Sequence, residues 1–323
     1  MPSFETILLN VVSNAISFFL GTLSSSALYR FIRLERRYLP LVLSDSPKFV
    51  EQVENEARRH FSRPPLAGLP WPRVKRSTVL KPEATAVEGV LKESSWRELL
   101  RRAAVAIHSA ERPEGEDRDE EIHLVFGTPI LWAFALGRLT QNRHRLVVYH
   151  FQNEDQCYHR IWKTDRRVKN LRSPIAGRPF EYRFLRETRI EAKQAPGPGP
   201  TRECLVIMIG ANAIVDDVVA YRDANLPDAA VRVFTKVRLL NPSETDAWVR
   251  AAAEVAYAVC DRGPRVDETC LFVDMPCALA FMAADSIGLY SPRRLRLMQY
   301  DQKNKTYLDI LSFPDDELDA LAG

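Results

Sequence analysis

The sequence predicts an α/β protein, with a parallel sheet covered by helices on both faces, set behind an N-terminal transmembrane helix and a helical linker. Three observations carry this. A strand-helix-strand grammar recurs along residues 85–323, and a run of 24 uncharged residues stands near the start of the chain. With 323 residues, 46% hydrophobic and 27% charged, the composition is that of a packed protein with room for about two domains, which excludes disorder and collagen-like repeats.

Residues 1–33 are read as a single transmembrane helix. Between Glu5 and Arg30 no charged side chain occurs, and at about 1.5 Å per residue this segment reaches roughly 36 Å, enough to cross a hydrocarbon core of about 30 Å. A cleaved signal peptide is the rival, but the start Met1-Pro2-Ser3-Phe4-Glu5 lacks a basic leader, and the basic residues follow the apolar run instead. Arg30, Arg33, Arg36 and Arg37 come at once, which keeps the C-terminal bulk in the cytoplasm. Asn10, Asn14, Ser17, Gly21 and Ser24 draw a polar, small-residue stripe down the helix. Such a stripe suits helix-helix contact in a bilayer or a wet path lined by several helices; the alternative is a marginal anchor whose polar atoms bond back to their own backbone.

Residues 34–84 read as a basic juxtamembrane helix and a Pro-rich linker. From Arg30 to Arg76 eleven Lys/Arg face five Asp/Glu, a surplus of six in a chain whose net charge is +3. Membrane lipid with anionic head groups attracts such a segment. Phe49, Val53, Ala57 and Phe61 share one helix face over 47–61, and Pro64, Pro65, Pro70 and Pro72 then stiffen the chain.

In the remaining domain, 85–323, a helix over 85–110 precedes an acidic loop, 111–121, with seven carboxylates. Ile122 to Gly127 is a strand, Thr128 can cap and Pro129 open a helix to about 140, and Arg145 to Phe151 is the next strand. The grammar returns as Cys204–Ile209, a helix after Asn212 and a strand around 230–234, then as Cys270–Val273, a helix from Pro276 and a strand around 295–300. The first and last units also match in detail. Pro129 and Pro276 each have Ala four residues on, and Phe151 and Tyr300 each have a tyrosine seven residues on, Tyr158 and Tyr307. A duplicated Rossmann-like half explains this, with halves of about 85–200 and 201–323.

In such sheets ligands sit outside the carboxyl ends of the strands. Those ends map to Gly127-Thr128-Pro129, Gly210-Ala211-Asn212 and Asp274-Met275-Pro276. Thr128, Asn212 and Asp274 can each serve as a helix cap, a ligand contact or both. Between Arg160 and Arg178 seven Lys/Arg stand with one acid, beside Tyr158, His159 and Trp162, and Lys303 and Lys305 repeat the theme near Tyr307. Cations among aromatic rings suit phosphates and stacked bases, although a basic loop is also an ordinary solvated face.

Other chemistries find no pattern. No G-x-G-x-x-G or Walker A loop is present, so standard NAD and ATP sites are not expected. Five cysteines form no C-x-x-C pair and their number is odd, which speaks for reduced thiols. The six histidines, all before residue 160, lack metal-site spacing, so neither a metal nor another cofactor is expected. Asp216-Asp217, Asp267-Glu268 and Asp315-Asp316-Glu317 are adjacent acids that do not converge on one bond, and no G-x-S-x-G occurs. The chain is therefore not read as an enzyme.

The stretch Leu124 to Gly137, its echo Leu271 to Ala284 and the ending Tyr300 to Tyr307 resemble the SAVED domain, a fusion of two CARF-like Rossmann halves, over roughly 85–323. A SAVED domain behind a membrane span resembles the transmembrane effectors of bacterial CBASS anti-phage systems. That resemblance implies a receptor in the inner membrane, with its soluble domain cytoplasmic, for a cyclic di-, tri- or tetranucleotide made by a partner nucleotidyltransferase. It also implies ligand-induced homo-oligomers that disrupt the membrane. Thr128, Asn212, Asp274 and Met275 would lie near the bases, Arg160 and Lys305 near phosphates, and Pro129, Trp132, Tyr158, Gly210 and Tyr307 complete the expected ligand-binding set. Two other readings are a membrane-tethered scaffold and a nuclease that cleaves the cyclic ligand.

Overall fold

Strands covered on both faces read as unbroken apolar runs, and helices enclosed all round lose their polar face; both signatures mark the centre of this molecule. A computed structural model describes residues 38–44, 78–80, 93–111, 121–127, 129–140, 146–152, 157–163, 181–194, 201–261, 266–287, 294–301, 304–316 and 318. The expected transmembrane segment 1–33 with its stripe Asn10, Asn14, Ser17, Gly21 and Ser24, the expected helix over 47–61 and Thr128 lie outside these residues. Among the described residues no helix is long and apolar enough to cross a membrane.

The first sheet comprises β1 (Tyr38–Ser44), β2 (Thr78–Leu80), β3 (Glu121–Gly127), β4 (Leu146–Gln152) and β5 (Cys157–Lys163), in the order β2-β1-β3-β4-β5. Its helices are α1 (Glu93–Glu111) and α2 (Ile130–Thr140). The second sheet comprises β6 (Leu185–Ile190), β7 (Arg202–Met208), β8 (Ala230–Lys236), β9 (Glu268–Asp274), β10 (Arg294–Asp301) and β11 (Thr306–Phe313), in the order β11-β10-β9-β7-β8-β6. Its helices are α3 (Val215–Asn225), α4 (Thr245–Cys260) and α5 (Cys277–Ile287).

The two sheets are copies. The path β8-β7-β9-β10-β11 repeats β2-β1-β3-β4-β5, parallel throughout except for the last strand. The proline-alanine spacing is the opening bond of a helix in both: Ala133 donates to the carbonyl of Pro129 at 3.4 Å, and Ala280 to that of Pro276 at 3.0 Å. The tyrosine spacing is a hairpin register, since Phe151 faces Tyr158 across β4–β5 and Tyr300 faces Tyr307 across β10–β11. Even the register shifts coincide, between Val148 and Tyr149 and between Leu297 and Met298, each two residues before the aromatic pair.

Helices α2 and α5 pack on each other between the sheets, and each also touches the other half's strands. Residues 131–140 of α2 are all buried, as are 278–285 of α5, which accounts for their all-round apolar sequences. One core cluster accordingly draws on both sheets. The exchange extends outward. Helix α4 of the second half packs against β5 of the first, its Trp248 ring stands 5.0 Å from that of His150 on β4, and α1 of the first packs against β11 of the second. Burial, aided by the neighbouring His159, pulls the His150 imidazole down to about 4, so it stays neutral in this junction. On the opposite side Arg97 of α1 meets Asp315 at 2.5 Å.

Three expectations are corrected. The domain does not begin at 85, because β1 and β2 lie in the stretch read as juxtamembrane linker and fill the edge of the first sheet. The halves do not divide at 200, because β6 pairs with β8 and belongs to the second sheet. The sheets are mixed and not purely parallel, since each ends in an antiparallel hairpin and β6 adds an antiparallel edge. A short edge strand such as Leu185–Ile190 buries only Leu185 and so carries no apolar run by which to find it.

Candidate functional site

The carboxyl ends of β7, β8 and β9 meet at one edge of the second sheet, and the loop leaving β7 crosses over them. The amides of Ile209 and Gly210 both donate to the carbonyl of Asp274, at 2.7 Å each, so this loop is stitched to the end of β9. Asp274 is only 7% exposed, and its carboxylate is held within the cluster. It accepts from the Asn212 backbone amide at 2.9 Å and from Asn212 Nδ2 at 3.0 Å, one bond on each oxygen. Gly210 is required here for space: an added Cβ would lie 2.2 to 2.6 Å from the Asp274 carboxylate. From β8, Lys236 Nζ donates to the carbonyls of Ile209 at 2.8 Å and Gly210 at 2.9 Å.

Four residues from three strand ends thus form one polar cluster, of which Gly210, Asn212 and Asp274 were legible and Lys236 was not. The strand was expected to stop around 234, whereas β8 runs on to Lys236. A lysine two residues beyond an apolar run carries no motif; only the parallel pairing of Ile207 with Phe234 and Met208 with Thr235 places it against the Gly210 loop. Asn212 is not a helix cap, because α3 starts at Val215 with Ile214 in the capping position. Asp274 spends its carboxylate on Asn212, and α5 begins instead on the Pro276 carbonyl.

The other expected site residues are dispersed. Trp132 and Met275 are 0% and 3% exposed and belong to the core, so a ligand reaches neither without rearrangement. Pro129 sits at the start of α2, half-buried. Arg160 is exposed on β5, the edge of the first sheet, and this part of the expected basic loop is strand; the side chain of Tyr158 and residues 164–178 lie outside the described residues. Lys305 is exposed in the β10–β11 turn with φ of 48°. Tyr307, 6% exposed, packs among Tyr221, Phe272 and Tyr300 at centroid separations of 4.7 to 5.8 Å. Burial and then the nearby charges of Asp217 and Asp274 push its hydroxyl above the usual tyrosine range, so it stays protonated behind the strand-end cluster.

Charge at the opposite ends of these strands is arranged differently. Arg232 lies between Glu187 and Glu203, at 3.2 and 3.5 Å, and Arg296 between Glu268 and Asp309, at 3.1 and 2.7 Å. Those cations are neutralised within the fold. Among the described residues no group of three or more His, Cys, Asp or Glu is placed to hold a metal ion. The thiols of Cys204 and Cys270 face each other in register between β7 and β9, and burial pushes that of Cys270 up to about 12, so neither is a ready nucleophile.

No family model matches the chain, and no curated protein does. Among solved structures it is similar to the Cap4 SAVED/CARF-domain containing receptor of Acinetobacter baumannii with the cyclic trinucleotide 2'3'3'-cAAA, at 15% identity and a TM-score of 0.46. It is similar also to that receptor with 3'3'3'-cAAA, at 15% and 0.45, and to the Cap4 SAVED/CARF-domain containing receptor of Moraxella osloensis, at 15% and 0.39. The matches cover 80 to 84% of this chain and 51 to 52% of those chains, so the chain spans about half the length of the structures it matches.

Proposed function

We propose that this protein is a membrane-anchored receptor for a cyclic oligonucleotide, that ligand binding assembles its soluble domains, and that assembly gathers the N-terminal helices so that the bacterial inner membrane leaks in anti-phage defence. One observation supports the receptor reading above the others: a duplicated Rossmann-like fold whose second half holds Gly210, Asn212, Asp274 and Lys236 together at the carboxyl ends of parallel strands, where open α/β sheets take their ligands. The cluster offers a cation, an oriented amide and main-chain groups.

The decisive measurement is the mass distribution of the detergent-solubilised protein by light scattering, with and without each of a panel of cyclic di-, tri- and tetranucleotides at micromolar concentration. A large assembly with one member, recovered chemically intact after long incubation, is the expected result. A folded sample unchanged by every member would put the tethered-scaffold reading ahead, and a cleaved ligand would put the nuclease reading ahead.

For the membrane step, the polar stripe supports association of helices raised in local concentration by assembly. Replacing Asn10 and Asn14 by Leu is expected to preserve membrane insertion and ligand binding while abolishing ligand-dependent leakage of dye from liposomes. Leakage at the wild-type level would remove the stripe from the mechanism.

A further inference from the structure

We propose that Lys236 is the phosphate-binding cation of the strand-end site, offering one unused N–H of its ammonium to the phosphodiester of a nucleotide ligand. This assignment rests on the receptor reading and departs from the two cations, Arg160 and Lys305, that the sequence offers for phosphates.

Arg202, Arg222, Arg232 and Arg296 of the second half each meet a carboxylate, at 3.4, 2.8, 3.2 and 2.7 Å. Lys236, half-buried at the end of β8, meets no carboxylate among the described residues; its two partners are the neutral carbonyls of Ile209 and Gly210. An ammonium has three donors and no acceptor. Two are fixed on the loop, which holds the group in place, and the third has no acceptor among the described residues. A partly desolvated cation that no described carboxylate touches, with one donor open, attracts an anion more strongly than a mobile surface lysine, because the geometry is set before the ligand arrives.

The loop that Lys236 grips supplies the second observation. The carboxylate of Asp274 accepts only, so it must face Nδ2 of Asn212, and Oδ1 is turned the other way. The same carboxylate takes the Asn212 backbone N–H, so the amide is clamped at two points, while the residue itself is exposed. The exposed edge of a planar amide carries a donor and an acceptor, the complement of a base edge. Cation and amide are joined through Gly210, whose carbonyl Lys236 binds and whose lack of Cβ leaves Asp274 its place. A nucleotide bound here would place its phosphate on Lys236 and its base edge toward Asn212. Arg160 stands on the other sheet, and Lys305 in a separate turn.

The test uses the full chain in detergent with Lys236→Met and Lys236→Arg, and two probes: inorganic phosphate followed by ³¹P line broadening, and the panel of cyclic oligonucleotides by equilibrium dialysis. The Met variant is expected to lose the phosphate response and to bind the oligonucleotide at least tenfold more weakly, while the Arg variant keeps most of both. A tether that only shapes the loop would weaken binding equally at all salt concentrations. A phosphate contact instead lowers the slope of log K against log salt by about 0.7 to 1 in the Met variant. Oligonucleotide binding by the Met variant within twofold of wild type, or an unchanged salt slope, overturns the assignment and leaves the receptor reading standing. Phosphate binding lost in the Met variant with no oligonucleotide bound by wild type supports the assignment and overturns the receptor reading. Neither probe bound by wild type overturns both.

Discussion

Replacing Glu254 by Ala is expected to lower the unfolding free energy by about 3 to 5 kcal/mol, or the melting temperature by about 10 °C. Glu254 is 0% exposed on α4 and accepts three backbone amides at the entry of β6: Arg183 at 3.0 Å, Phe184 at 2.8 Å and Leu185 at 2.8 Å. No strand pairing supplies these donors with another acceptor at that point, so truncation strands them. Each buried amide left without a partner costs about 1 to 3 kcal/mol, and the void adds to it. Glu254→Gln keeps one oxygen and should lose less, because its oxygen can still serve Phe184 and Leu185 while its NH₂ opposes only the Arg183 amide. Arg183→Ala is the control. It removes an exposed pair with Glu181 at 2.8 Å and leaves the backbone donor intact, so no measurable change is expected. A melting temperature for Glu254→Ala within 2 °C of wild type would show that β6 is held some other way.

Glu254 also shows where sequence reading runs out. The α4 segment, Thr245 to Cys260, is rich in alanine, with Trp248, Ala251, Ala252, Val255, Ala258 and Val259 buried along one side. No strand-helix-strand reading required it, so it was not expected, although its periodicity was available. Its acid looks like any surface glutamate, because its partners are main-chain amides about 70 residues earlier and main chain has no sequence signature. The strands and helices with apolar runs, β3, α2, β4, β7, β8, β9, α5 and β10, and the more polar α3 lie within a few residues of expectation. Those missed are β1 and β2, which lie in the stretch read as a basic linker, and the edge strands β5, β6 and β11. The duplication was legible because Pro-to-Ala and aromatic-to-Tyr spacings are fixed by a helix start and a hairpin register. At the strand ends glycine, asparagine and aspartate could be flagged from residue type and place, but a lysine that binds carbonyls could not, since which carbonyls it reaches depends on the pairing of β7 with β8.

Gly137→Ala is expected to destabilise the protein by about 2 kcal/mol, against the usual sign for glycine in a helix. Inside an exposed helix that substitution gains up to about 1 kcal/mol. Here α2 crosses α5 so closely that a Cβ on Gly137 would stand 2.2 Å from the carbonyl oxygen of Phe281 and 3.0 Å from its C and Cα. Backbone cannot rotate aside as a side chain does, so the helices must part. Parting them disturbs the contacts that cross between halves at the same place: the bond from Thr140 to Asp285 at 3.0 Å, the rings of Phe126 and Phe281 at 5.3 Å, and Arg138 over Phe313 at 4.5 Å. The clash is with main chain, so Phe281→Ala should not rescue Gly137→Ala; the double variant should show at least the sum of the two losses. Rescue would mean that the Phe281 ring, and not the helix approach, limits the site. The counterpart of Gly137 in α5, by alignment of Pro129 with Pro276, is Ala284, so the copies have diverged at their own contact and only one side of the crossing needs a glycine. If ligand-driven assembly depends on how the halves sit together, Gly137→Ala should weaken assembly at a temperature where the protein is still folded and still binds phosphate at Lys236. Assembly at the wild-type ligand concentration, alongside the expected fall in melting temperature, would confine the helix crossing to stability.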